Sequence, residues 1–185
     1  MNGTDTHLVV EGHDETASDG ADGEPGDPSG HLHRDLDRWC EVARTTLAGE
    51  GITTGRLDLI MVGRDQMAEL NLEHMGHEGP TDVLAFPLDG PEAAADGGTA
   101  DLVDPATVVG DPARHLGDVI VCPEVAVAQA PEHAGSVDAE LTLLVVHGVL
   151  HVLGHDHAEP GETAAMRARE RAHLDRYGFA HPEAG

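Results

Sequence analysis

The sequence predicts an α+β fold in which a small mixed β-sheet packs against a central apolar helix, with further helices around it. Strand-like apolar runs alternate with stretches of three-and-four periodicity, and after Ser136 one long segment is apolar on nearly every side. Aromatic residues are only 2% of the chain, so the core must come from Val, Leu, Ile, Ala and Met.

His7-Leu8-Val9-Val10 is a candidate edge strand. Leu32, Leu36, Trp39, Cys40, Ala43 and Leu47 then recur at helical spacing until Gly49 and Gly51 stop them. Leu57 to Val62 is strand-like. Arg64 to Met75 is a short helix with Met67, Leu70, Asn71 and His74 along one side, and Thr81 to Pro87 is a strand closed by its proline. Leu116 to Cys122 follows as an apolar strand, and Pro123 suits the first turn of a helix reaching about Gln129. Ser136 stands as N-cap of the long helix, with Asp138 and Glu140 in its first turn. Leu141, Leu143, Leu144, Val145, Val146, Val149, Leu150, Val152 and Leu153 nearly surround that helix, which predicts its burial. A last helix covers about Gly161 to Tyr177 and carries Arg167, Arg169 and Arg171.

At 185 residues the chain has the length of one domain with tails and loops to spare. Acids outnumber bases 35 to 10, every base is Arg, and the formal charge is −25. Such a field opposes non-specific adhesion to nucleic acid or anionic membrane, so any nucleic-acid partner must be met by a local patch or through a metal. The acids concentrate without any Arg in residues 1–30 and 88–113. Asp14 to Gly30 holds too little apolar surface to offset its ordering entropy and is expected to be disordered. The expected organisation is an acidic N-terminal segment 1–31, one catalytic domain 32–178 with an acidic loop insertion at about 88–113, and a C-terminal tail 179–185. Cys40 and Cys122 are expected as buried thiols. No apolar run is long enough for a bilayer and no leader pattern opens the chain, so a cytoplasmic location is expected.

The chemistry concentrates in His147-Gly-Val-Leu-His151-Val-Leu-Gly154-His-Asp-His157, spaced HxxxHxxGxxH. Residues four apart lie about 40° apart around a helix, so the His147 and His151 imidazoles face one point. Gly154 suits the left-handed turn that ends the helix and brings His157 back as a third nitrogen. Three imidazoles leave the fourth tetrahedral position of zinc open, the arrangement of a catalytic site. The expectation is therefore one Zn2+ on His147, His151 and His157. In a chain with 14 histidines, chance produces this His and Gly spacing only about 0.01 times. Asp156 is a candidate acceptor for a ligand imidazole, against the alternative of a turn residue. His155 is expected to be exposed, and is the substitute if His157 is not a ligand. The spacing is that of the metzincin proteases, HExxHxxGxxH, but Gly148 stands where they carry the general-base Glu, which disfavours a protease or amidase.

The segment HGVLHVLGHDH resembles the hallmark of the YbeY family, HGxLHLxGYDH, with Val152 for Leu and His155 for Tyr. Leu70-Asn71-Leu72, Gly79 to Pro87 and Leu116 to Pro123 agree with that family in order and spacing, so the resemblance covers about 32–178. It implies an α+β fold and zinc on His147, His151 and His157. It implies a single-strand-specific endoribonuclease of 16S rRNA 3′-end maturation and ribosome quality control. The partners implied are single-stranded rRNA and the small ribosomal subunit or assembly factors, with neither membrane nor DNA. Many family members carry an Arg where Met75 stands here, which leaves Arg64 and the Arg167, Arg169, Arg171 group as candidate phosphate contacts against the alternative of solvated helix faces. Thr81 and Asp82 are candidates to line the cleft near the metal or, equally, to cap the strand. No general base is assignable, and His74, His77 and His115 are candidates without distinction. Two other functions stay open. A non-catalytic, zinc-stabilised ribosome-assembly binding protein predicts an occluded metal, and a zincin-like protease or amidase predicts a carboxylate within reach of it.

Overall fold

The computed structural model describes residues 7–16, 35–88, 114–155 and 160–182. Along the chain these form β1 (His7–Asp14), α1 (Leu36–Gly49), β2 (Thr54–Met61), α2 (Arg64–Met75), β3 (Val83–Pro87), β4 (His115–Val121), α3 (Pro123–Gln129), α4 (Val137–Val152) and α5 (Pro160–Leu174), with a 3-10 turn at Asp175–Tyr177. Four strands make one mixed sheet in the order β1-β2-β4-β3. β1, β2 and β4 are parallel neighbours and β3 runs antiparallel to β4. The fold is α+β, as expected. Most of the acidic stretch expected to be disordered, all but the first residue of the expected acidic loop, and both Asp156 and His157 lie outside the described residues.

The candidate edge strand at 7–10 extends to Asp14, because β1 pairs with β2 along its whole length. Pro87, which lacks an N–H, is tolerated because it ends the other edge strand. Strand alternation sends Leu57, Leu59 and Met61 to the face that carries α1 and α4, where they join Trp39, Val145, Val146 and Val149 in the main core. Each such side chain contributes roughly 1.5–3 kcal/mol. The opposite face takes a smaller cluster of Val62, Met67, Leu84, Ile120 and Cys122 beneath α2. Cys40 and Cys122 are buried free thiols, and burial pushes both up from their ordinary values.

Two glycines set the geometry that positions the site. A Cβ at Gly148 would lie 2.5 Å from Val119 Cγ1, so α4 presses against β4 at that point. Gly117 sits at φ +149°, and a Cβ there would fall 2.4 Å from the Phe86 carbonyl oxygen. The pairing of β2 with β4 passes from Arg56↔His115 to Leu57↔Gly117, which makes Leu116 the extra residue of a bulge. No helix among the described residues is long and apolar enough to cross a membrane.

Candidate metal centre

α4 begins on Ser136, whose hydroxyl oxygen accepts from the Ala139 N–H at 3.2 Å. It ends as the sequence predicts. Gly154 adopts φ +84°, its N–H donates to the His151 carbonyl at 2.9 Å, and the His155 N–H donates to the Leu150 carbonyl at 3.0 Å. Between these ends the helix is buried on nearly all sides, and His147 and His151 are its half-buried positions near the C-terminus.

The two imidazoles converge. His147 Nε2 and His151 Nε2 are 3.1 Å apart, with ring planes at 74°. Ligand atoms about 2.0–2.1 Å from one zinc ion stand roughly 3.0–3.5 Å from each other, so the separation suits two ligands of one cation. The tautomer of His147 is set by Glu170. An ionised carboxylate only accepts, so the His147 Nδ1–H donates to Glu170 Oε1 at 2.7 Å and Nε2 keeps its lone pair. His181 Nε2 donates to the other oxygen, Glu170 Oε2, also at 2.7 Å. Burial pushes the Glu170 carboxyl up, but the hydrogen bonds and charge of His147 and His181 outweigh it and hold the group below its usual range. Glu170 is buried because it shares the inward stripe of α5 with Met166, His173 and Leu174.

These groups open into a cleft of about 250 Å³ lined by Asp82, His133, His147, Arg167, Glu170 and His181, among others. A larger hollow of about 620 Å³ runs along α1 past Glu41, Arg44 and Arg176, but it contains none of the motif histidines. Asp82 forms one wall of the smaller cleft as part of a polar network. Its Oδ1 accepts from the Val83 N–H at 2.8 Å and the Thr81 hydroxyl at 3.1 Å, and Gln129 Nε2 bridges Asp82 Oδ2 at 2.6 Å to Glu140 Oε1 at 2.9 Å. Glu140 is fully buried and also accepts from His133 Nδ1 and the Ala134 N–H.

The sequence candidates therefore separate. Asp82, His147 and Arg167 line one cleft, His151 meets His147 beside it, and the Thr81 hydroxyl bonds Asp82. Arg169 is an ion-pair partner of Glu50, and Arg171 is exposed. Met75 is exposed at the end of α2, and His74 packs edge-on against Phe86. His155 is not exposed as expected but half-buried, with Nε2 3.6 Å from Glu50 Oε2. Burial and Arg169 hold its ring below its ordinary value against the opposing pull of Glu50. His115 lies in a different group: ligand atoms of Asp58, His115 and Asp118 fall within 4.8 Å of one another on β2 and β4. Glu170, His181 and His133 were not singled out from sequence. Glu170 and His181 stand 23 and 34 residues after His147, and no local spacing connects them to it.

Residues 29–178 match the family model described as Endoribonuclease YbeY. The curated Endoribonuclease YbeY of Salinispora tropica is 47% identical over 135 residues, which are 72% of this chain and 82% of that protein. The Endoribonuclease YbeY of Frankia casuarinae is 46% identical over 60% of this chain and 51% of its own length. The solution structure of TM1509 from Thermotoga maritima superposes with a TM-score of 0.53 at 23% identity, covering 90% of this chain and 87% of the other, and shares the fold.

Proposed function

This chain belongs to the Endoribonuclease YbeY family, and from that premise we propose a zinc-dependent, single-strand-specific endoribonuclease of 16S rRNA 3′-end maturation and ribosome quality control, working in the cytoplasm on the small ribosomal subunit. The observation that carries the proposal is the pair of Nε2 atoms 3.1 Å apart, one of them, on His147, lining a cleft and oriented by a buried carboxylate. We assign His147, His151 and His157 as the ligands of one Zn2+; two of the three have the donor chemistry and convergence zinc requires, and His157 lies outside the described residues.

A bound zinc ion supplies Lewis acidity toward the scissile phosphate and toward water. The protein's own groups do the rest. Glu170 holds the His147 ring so that its lone pair faces the cleft, and His181 holds Glu170 from the far side. Gln129 holds Asp82 at the wall, and a bound cation would offset the repulsion this carboxylate exerts on a phosphate. Arg167 is the one Arg of its group that lines this cleft, and we assign it the phosphate contact that Met75 cannot make.

The cleft leaves 27% of the His147 side chain exposed, which favours catalysis over an occluded, purely stabilising metal. The protease reading loses support from Gly148, which has no side chain to act as base and packs against Val119, and from the two cleft carboxylates, Asp82 and Glu170, which are already engaged by hydrogen bonds. The test pairs metal content per chain with cleavage of a single-stranded rRNA fragment. Wild type should hold zinc and cut. His151→Ala should lose that equivalent and its cleavage; retention of both would refute the ligand assignment.

A further inference from the structure

We infer a second cation site, on the face of the sheet turned away from α4, in which Asp58, His115 and Asp118 bind a divalent first-row transition metal such as zinc or manganese, with Glu11 and His13 of β1 closing it from the edge.

Strand periodicity puts these groups together. Leu57, Leu59 and Val119 belong to the core beneath α4, so the alternate residues Asp58 and Asp118 point the other way. Asp58 pairs with Glu11 on one side and Asp118 on the other, so three carboxylates form one row across three adjacent parallel strands. Two residues three apart on a regular strand face opposite ways. The bulge at Leu116 cancels that alternation, and His115 and Asp118 meet on one face with Nε2 and Oδ1 3.1 Å apart. His115 Nε2 is also 3.1 Å from Asp58 Oδ2, and His13 Nε2 is 3.8 Å from Asp58 Oδ1. These are separations expected between ligands of one ion.

The polar atoms here are close but unsatisfied. Asp58 is 8% exposed, and its Oδ1, with His115 Nε2 and Asp118 Oδ1, is shut off from solvent without a hydrogen-bond partner among the described residues. Short contacts that fail as hydrogen bonds mean that donor and lone-pair directions do not point at each other, whereas a shared cation accepts them all. Charge points the same way. Glu11, Asp58 and Asp118 contribute three negative charges, and Arg56, which donates to Asp58 Oδ2 at 2.8 Å, returns one. A divalent ion balances the remainder. Imidazole nitrogen among carboxylates favours a transition metal over magnesium or calcium. The ion would tie the edge strand β1 to the two central strands, on the opposite side of the sheet from the α4 histidines.

The experiment uses the full chain, stripped with chelator, dialysed against micromolar zinc at physiological salt and analysed for metal per chain. Wild type should hold two equivalents, His115→Gln one, His151→Ala one and the double variant none. Asp118→Asn, a second conservative change, should also drop to one, while Glu69→Gln, an exposed acid outside both sites, should keep two. The His115 ring nitrogen resonance of wild type should shift as zinc is added. Equal metal in wild type and His115→Gln, with an unmoved His115 resonance, would overturn this site. Loss of metal in His115→Gln but not in His151→Ala would instead sustain it and refute the α4 assignment.

Discussion

Glu170→Gln tests the site at the point where its geometry is most specific. The change keeps volume and one acceptor oxygen but removes the charge that receives hydrogen bonds of 2.7 Å from both His147 and His181. An amide can still accept from one histidine; toward the other it must present an N–H, so one of the two contacts is lost. Removal of such an orienting carboxylate typically weakens metal affinity about 10–100-fold, which is about 1.4–2.8 kcal/mol at 1.4 kcal/mol per decade. Glu170 is 4% exposed, so solvent cannot replace the lost partner. The assay is zinc competition against a chromophoric chelator, with Asp175→Asn, an exposed acid of the same C-terminal region, as control. Glu170→Gln should bind zinc at least tenfold more weakly and Asp175→Asn as wild type. Affinity within twofold of wild type for Glu170→Gln would refute the claim that this carboxylate orients His147.

Arg167→Ala should raise KM for a single-stranded rRNA fragment several-fold and reduce the salt dependence of binding, because a phosphate contact worth about one counterion is lost; unchanged KM and salt slope would place the phosphate elsewhere. Gly148→Ala should lower stability by about 1–3 kcal/mol in urea titrations, since its Cβ would meet the stiff, buried Val119 side chain at 2.5 Å; a stabilised variant would show that α4 and β4 separate freely. Gly154→Ala forces a side chain into φ +84° and should cost roughly 1–2 kcal/mol while weakening zinc binding, because the chain leading to His157 leaves the helix at this turn. Burial raises both thiols, so the stability contributed by their neutral forms is full below about pH 8.5 and declines as pH climbs past that value. At pH 8 Cys40 and Cys122 should therefore react with a disulfide probe only as fast as the protein unfolds, and immediate labelling would contradict their burial.

The local elements were legible because their signals are local. The α2 and α3 boundaries follow from apolar spacing and from a proline at the first turn, and the His147 and His151 convergence follows from helical pitch alone. The turn at Gly154 needs only a residue without Cβ. Other features needed the sheet. His155 looked exposed because nothing nearby in sequence predicts that the end of α1 brings Glu50 to it. Nothing local in the sequence of α5 marks Glu170 as an inward-facing acid; the packing of that helix buries it. His115 looked like one of several interchangeable histidines; a bulge and the pairing of β2 with β4 separate it from the α4 cleft and set it against Asp58 and Asp118.

The sequence by itself determined the α+β class, the apolar helix that carries two histidines at one pitch, and the absence of a general-base carboxylate at position 148. Those depend on covalent neighbours and on the periods of helix and strand. Only the tertiary structure decided which carboxylate orients His147, which Arg reaches the cleft, and that a second set of ligand atoms gathers on the far face of the sheet. Such contacts join residues separated by tens of positions, and strand order, register and helix docking, which are properties of the whole core, are what bring them within bonding distance.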